Sequence, residues 1–338
     1  MTLDPAAGDA AGAITGSVND LRSPDDLTLD DLEAAARRIA GAVRRTPTLH
    51  AIGLKDPPAE LGALYLKLEL LQITGSFKVR GALNKLRALP PGRTAAGLVT
   101  ASSGNHGLAV AYIGYLAQLP TTIFLPTVVP ASKVEKLRRW GARIEAVGAV
   151  WDDANDAALT LAHRDGLCYI HPFADRDVIA GQGTLGLELC ADVPELDTVL
   201  VAIGGGGLIS GVAAAVKARL PGARIIGVEP VGAPTLRESV RAGSLVRLER
   251  IDTLAGTLAP RQSDALNLRL VQRYVDDIVL VSDDEMRAAA RWLWFETAVA
   301  AELSGAAAMA ALLCRRYVPR PGERVAVIVC GAGSDGIG

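Results

Sequence analysis

From residue 97 onward the chain alternates short apolar runs with segments of helical period, and this alternation constrains the fold more than any other feature. Strands are predicted at 97–100, 121–125, 143–147, 198–203, 224–229 and 324–329, with helices at 105–116, 132–140, 151–165 and 208–219. Parallel strands need a crossover of a dozen or more residues, and right-handed βαβ units supply it. The pattern predicts an α/β protein with parallel sheets flanked by helices. Upstream, a helix is expected from Thr28, with Leu29, Leu32, Ala36, Ile39 and Val43 on one face and Asp30 and Asp31 at its positive end. A strand at 64–69 and a helix at 77–89, closed by Pro90-Pro91-Gly92, follow. The longest helical region opens on Ser282-Asp283-Asp284-Glu285, a capping box.

The chain has 338 residues, half of them hydrophobic, enough core for two domains or one large one. Its 35 basic and 37 acidic residues leave no electrostatic footprint for nucleic acid or an anionic membrane, so a small-molecule partner is expected. Apolar runs are broken well short of a membrane span. Cys168, Cys190, Cys314 and Cys330 are scattered, with neither CxxC nor metal-ligand spacing, which fits a reducing, cytoplasmic setting. Residues 1–26 are rich in Ala, Gly and Asp with Arg22 as their one basic residue, so a disordered tail is expected rather than a targeting signal. No regulatory domain is expected beyond the last strand.

Three motifs carry chemistry. In Thr74-Gly75-Ser76-Phe77-Lys78-Val79-Arg80-Gly81-Ala82 a lysine sits among small residues at a predicted helix start. Burial and a helix N-terminus both help such an amine lose its proton, as capture of an aldehyde cofactor requires. Gly204-Gly205-Gly206-Gly207-Leu208 follows an apolar strand and opens a helix, where converging backbone N–H groups can cradle a phosphate. The dinucleotide pattern G-x-G-x-x-G fails there, because Ile209 and Ser210 stand where the third glycine belongs. Gly331-Ala332-Gly333-Ser334-Asp335-Gly336 does satisfy that pattern, but the sequence supplies no following helix, and the dinucleotide reading is set aside. Ser102-Ser103-Gly104-Asn105-His106-Gly107 lies between a strand and a helix, with hydroxyls, an amide and free N–H groups able to grip a carboxylate. Taken singly, these motifs also read as a solvated lysine, a ligand-free glycine turn and an ordinary helix cap.

In this order and spacing the motifs resemble those of the fold-type II pyridoxal-phosphate enzymes, specifically the serine/threonine dehydratase (threonine ammonia-lyase) and serine racemase group. The resemblance spans residues 28–330 and implies a two-domain, tryptophan synthase β-like fold. Residues 27–96 and 172–338 would form a large cofactor-binding domain, and 97–171 a small domain holding the substrate carboxylate. It implies that Lys78 is the Schiff-base lysine and that Phe77, Lys78, Asn105, Gly204, Gly205, Gly206, Gly207, Leu208 and Cys330 contact pyridoxal 5'-phosphate. Cys330 would face the pyridine nitrogen, as in the mammalian serine dehydratase branch; a buried structural thiol is the competing reading. Ser102, Asn105 and His106 would bind the substrate carboxylate, Asn105 also touching the cofactor's phenolic oxygen.

The implied reaction is α,β-elimination, converting L-threonine or L-serine to 2-oxobutyrate or pyruvate and ammonia. Ser103 keeps racemisation open, because in the racemases the serine at this place works opposite the lysine. His171-Pro172-Phe173 instead follows the dehydratases. The segment 177–184 matches the dehydratase pattern, is expected to precede a helix, and is assigned a positional role. Glu302 is either a surface carboxylate or a residue bounding the site. Glu229 and Ala233 match a racemase cation site, but Thr235 replaces its last ligand, so no divalent metal is expected. The likeness weakens at 253–267 and after Cys330, leaving elimination from other β-substituted or β-hydroxy amino acids open. A non-catalytic phosphate- or nucleotide-binding protein is the alternative of a different class. Family membership implies a homodimer or homotetramer.

Overall fold

A computed structural model describes residues 27–129 and 131–336. The tail expected at 1–26 lies outside the described residues. In chain order the elements are α1 (Leu29–Ile39), β1 (Thr48–His50), β2 (Ala63–Lys67), α2 (Lys78–Ala88), β3 (Leu98–Ala101), α3 (Asn105–Ala117) and β4 (Thr121–Leu125). Next come α4 (Ala131–Arg138), β5 (Arg143–Ala146), α5 (Trp151–Asp165), β6 (Cys168–Tyr169), α6 (Arg176–Asp192), β7 (Thr198–Ala202) and α7 (Gly207–Arg219). The chain continues through β8 (Arg224–Pro230), α8 (Thr235–Ala242), α9 (Ala265–Tyr274), β9 (Asp277–Val281), α10 (Asp283–Thr297), α11 (Leu303–Leu313) and β10 (Arg324–Ile328).

The strands form a six-stranded sheet in the order β1-β2-β10-β7-β8-β9 and a four-stranded sheet in the order β5-β4-β3-β6. Every pairing is parallel except β1 with β2, an antiparallel edge. The strands β7 and β10 are apolar almost throughout because both faces of the large sheet are covered. The Ala-rich α11 is buried from Leu303 to Leu312, and eight of those residues join the large core. In parallel sheets ligands gather beyond the carboxyl ends of the strands. Here those ends are Ala101 of β3 and Ala202 of β7, which lead straight into the 102–107 and 204–208 motifs, and Ile328 of β10, which leads to Cys330.

The helix α2 belongs to both sheets. Val79, Ala82 and Leu83 pack with Leu98, Val110 and Ile170 of the small sheet's layer, while its Gly81 meets α6 so closely that a Cβ would strike the Gln182 side chain and the Val178 carbonyl. Lys78 therefore stands at the junction.

Several local expectations change in detail. Thr28 and Asp31 do form a capping box, but Ala35 rather than Ala36 is buried beside Leu32 and Ile39, and Val43 lies beyond the helix. The strand expected at 64–69 ends at Lys67 and runs into a 3₁₀ turn, Glu69–Leu71. Residues 177–184 lie inside α6 instead of preceding it. That helix, at 17 residues, exceeds the 15 of α10, although Ser282 caps α10 in the expected capping box with Glu285. Gly181, Gly183 and Gly186 in α6 allow close backbone contact: a Cβ at Gly181 would meet the Arg80 carbonyl at 2.6 Å, and one at Gly183 the Gly211 carbonyl at 2.8 Å. Close helix packing offsets the usual cost of mid-helix glycine.

Candidate active site

The turn before α2 is unusual. Thr74 and Gly75 both take left-handed backbone angles, φ 69° and 79°, and for a β-branched threonine that conformation is strained. The hydroxyls of Thr74 and Ser76 are buried without a hydrogen-bond partner. The segment after β10 is clamped against this turn: Phe77 N–H donates to the Cys330 carbonyl at 3.3 Å and Ala332 N–H to the Gly75 carbonyl at 2.8 Å. On its other side Glu302 N–H donates to the Gly331 carbonyl at 3.2 Å. Three remote stretches thus place Lys78, Cys330 and Glu302 around one cleft.

Lys78, half-buried in the first turn of α2, donates Nζ to the Pro172 carbonyl at 2.7 Å and lies 5.1 Å from the centre of the Phe77 ring. Burial lowers its pKa from 10.5 to about 8, against the opposing pull of Cys330 and Glu302. Cys330 is 3% exposed, with its Sγ 3.7 Å from the Ser304 carbonyl. Burial first, then the Glu302 charge, pushes its thiol up to about 12, so it stays protonated at neutral pH.

The four glycines after β7 are held by their surroundings. A Cβ on Gly205 would run into the Phe173 ring, one on Gly204 would lie 2.8 Å from the Thr257 carbonyl, and one on Gly207 would lie 2.9 Å from the Phe173 carbonyl. Gly206 has φ 97° and is the N-cap of α7. Wholly buried Asn267 of α9 fastens the loop, donating to the carbonyls of Phe173 at 3.1 Å and Gly205 at 3.0 Å and accepting from Ser210 at 3.0 Å. Ser263 also donates to the Gly205 carbonyl, at 2.9 Å. Asn267 was not singled out from the sequence; its signal is a lone amide on the apolar face of a helix.

His171 accepts from Phe173 N–H at 3.1 Å and Ala174 N–H at 2.7 Å through Nδ1, which puts its proton on Nε2. Burial lowers its pKa to about 4. The loop holding Phe173 over the glycines is therefore set by a neutral imidazole.

Across the cleft, Gly104 is the N-cap of α3, and Ser102 accepts from its N–H at 3.2 Å. Asn105 opens the helix and donates its amide to Glu302 Oε1 at 2.7 Å. His106 points inward: its Nε2 meets the Ile170 carbonyl at 2.9 Å, and burial, with the Lys78 charge, lowers its pKa to about 3. What His106 can offer a carboxylate is its backbone N–H, alongside those of Asn105 and Gly107 in the free first turn. Ser103 is half-buried in the same turn.

Glu229 is committed elsewhere. Its carboxylate accepts from Leu236 N–H at 2.8 Å and Arg237 N–H at 2.9 Å, capping α8, and burial raises its pKa to about 8. Thr235 donates to the Pro260 carbonyl at 2.8 Å, and Ala233 sits buried between them in sequence. A carboxyl group spent on a helix cap does not fit a divalent-cation site. Among the described residues, no three His, Cys, Asp or Glu side chains converge to hold a metal.

A low-pKa amine on one wall and a tight glycine cradle on another define an enzyme built around an aldehyde-bearing phosphate cofactor; the orphaned Thr74 and Ser76 hydroxyls fit a bound polar group beside Lys78. Residues 39–331 match the family model for pyridoxal-phosphate dependent enzymes, and the chain belongs to that family, with pyridoxal 5'-phosphate as its cofactor. It is 40% identical over 309 residues to an L-threonine ammonia-lyase of Thermotoga maritima, covering 91% of this chain and 76% of the relative. A phenylserine dehydratase of Ralstonia pickettii is 36% identical over 314 residues, covering 92% and 95%. The solved structure of maize serine racemase superposes with a TM-score of 0.83 at 36% identity, covering 90% of this chain and 93% of that one.

Proposed function

We propose that the protein is an ammonia-lyase that eliminates water from L-threonine or L-serine and releases 2-oxobutyrate or pyruvate and ammonia. The observation that carries this reading is Lys78: an amine with a pKa of about 8, set between Cys330 and the Glu302–Asn105 pair. When bound, pyridoxal phosphate supplies the electron sink that makes the amino acid's α-hydrogen acidic. In this reading Gly204, Gly205, Gly206, Gly207 and Leu208 hold its phosphate, Phe77 bounds its ring, and Asn105 faces its phenolic side.

Ser102 and the N–H groups of Asn105, His106 and Gly107 orient the substrate carboxylate, fixing the α-hydrogen toward Lys78. Lys78 Nζ takes that proton, and the β-hydroxyl leaves as water on receiving one in turn, so that the α-proton held by Lys78 balances the one the leaving group needs. The protonated Cys330 thiol would be a weak acid facing the ring nitrogen of the bound cofactor, which would favour prompt loss of the β-substituent over transamination. Residues 27–96 with 172–336 and residues 97–171 act as two domains in this account, and their closure over the substrate excludes water.

Ser103 supports a second reading. It lies in the carboxylate turn across the cleft from Lys78, where a hydroxyl could return a proton to the opposite face of the α-carbon, giving racemisation. The likeness to maize serine racemase agrees with it. We place the protein in the cytoplasm, in keeping with its free cysteines, and read it as a homodimer or homotetramer from its family membership. No described helix is long and apolar enough to cross a membrane.

The test is 2-oxo acid release from L-threonine and L-serine by wild type and Lys78→Ala, with chiral analysis of the remaining amino acid. Release by wild type alone supports elimination. D-enantiomer without 2-oxo acid moves the reaction to racemisation.

A further inference from the structure

Contacts from three separate stretches converge on one carboxylate. Glu302 Oε1 accepts from Asn105 Nδ2 at 2.7 Å and from Thr257 Oγ1 at 3.4 Å. Gly331 packs against the same pair, since a Cβ there would collide with Oε1 and lie 3.2 Å from Asn105 Nδ2. Thr257 is exposed to the cleft and lies between its two binding loops. Its methyl is 3.4 Å from where a Cβ on Gly104 would stand, and its carbonyl is 2.8 Å from where one on Gly204 would stand.

This places Thr257 and Glu302 on the wall left over once the substrate's other groups are assigned. In the reaction proposed above, the carboxylate lies at residues 102–107 and the α-hydrogen faces Lys78. The substituent on the β-carbon is then directed to the remaining wall. We infer that Thr257 and Glu302 read that substituent and restrict it to a small, uncharged, hydrogen-bonding group such as a hydroxyl. This inference rests on the proposed orientation of the substrate.

Two physical effects set the restriction. The Thr257 methyl and hydroxyl take up space beside Gly104 that a bulky β-substituent would need. The Glu302 carboxylate repels a second substrate carboxylate at short range, where partial burial strengthens the interaction. Of the cleft's basic groups, Lys78 is assigned to the α-hydrogen, while His106 and His171 are neutral and committed to backbone partners.

The experiment uses the holoenzyme with L-threonine, L-threo-phenylserine and L-threo-3-hydroxyaspartate as probes, in wild type, Thr257→Ala and Glu302→Gln. Two quantities are read: kcat/KM for 2-oxo acid release, and the dissociation constant from the absorbance change of bound cofactor on mixing. Thr257→Ala is expected to raise the phenylserine-to-threonine ratio about tenfold or more, the range that filling or emptying a methyl-sized pocket gives. Glu302→Gln, which keeps the Asn105 contact, is expected to raise the hydroxyaspartate-to-threonine ratio by about tenfold. The assignment is overturned if either ratio moves less than about threefold. If wild type turns over none of the three, the proposed reaction fails, while the binding ratios still decide whether Thr257 and Glu302 select the substituent.

Discussion

Arg80 and Glu69 face each other with both side chains wholly buried, the guanidinium giving Nε and Nη2 to the two carboxylate oxygens at 2.8 Å each. The remaining donors reach Glu188, the Thr184 hydroxyl and the Arg44 carbonyl. Lys67, also wholly buried, joins through Glu188 at 2.8 Å and the Thr46 carbonyl at 2.8 Å. Arg80 stands two positions after Lys78, so this network anchors the helix that presents the amine to both β2 and α6. Removing one partner leaves a buried charge uncompensated. Arg80→Met is expected to destabilise the fold by about 3–5 kcal/mol, read as a lowered urea midpoint with an unchanged slope.

Gly205→Ala tests the cradle. Its methyl group would meet the Phe173 ring, and overpacking of this kind costs about 1–3 kcal/mol. The cofactor is expected to bind roughly tenfold to a hundredfold more weakly, if that cost falls on the loaded state. Titration of the apoprotein, followed by cofactor absorbance, checks it. Unchanged affinity would mean that the loop does not hold the phosphate.

Lys78 gives a pH prediction with a definite sign. Below pH 8 the amine is protonated in both the folded and the unfolded apoprotein, and the cost of burying its charge is fully present. As pH rises from about 8 toward 10.5, the folded amine is deprotonated while the unfolded one still holds its proton, so that cost disappears. Stability of wild-type apoprotein relative to Lys78→Met should therefore rise across this window. Acetylation of Lys78 in the apoprotein, followed by mass spectrometry, should show a midpoint near 8. A midpoint near 10.5 would contradict the burial argument.

Arg247 and Asp152 form an ion pair at 2.6 Å between the segment before Thr257 and the start of α5. Both side chains are largely exposed, at 55% and 41%, so the pair contributes no more than about 1 kcal/mol and is screened by salt. Arg247→Ala should change the substrate KM by at most about fivefold at low salt and leave it unchanged at high salt. A large loss of kcat at both salt levels would show that the residue does more than bridge the two sheets.

The sequence made the helix starts and the three motif loops legible because each has a local chemical cause. Thr28 with Asp31 and Ser282 with Glu285 satisfy orphan amides through their own side chains, and Lys78 falls in the first turn of α2 as its spacing predicts. Elements fixed by distant partners were harder to read. β1, β6 and β9 were not predicted: β1 is a three-residue antiparallel edge beside Lys67, and β6 is two residues long. Residues 177–184 were expected to precede a helix, whereas they lie within α6, where Gly181 and Gly183 bring it onto α2 and α7. The Asn105–Glu302 contact joins residues 197 positions apart, and no local pattern announces it.

The central claim is that Lys78 carries the cofactor. Reducing the holoenzyme with borohydride and mapping its peptides tests this most directly. The structure predicts a phosphopyridoxyl group on Lys78 and no other lysine, and none on the Lys78→Ala variant. A label on another lysine, or an unlabelled Lys78 in a protein that retains its cofactor absorbance, would contradict the account.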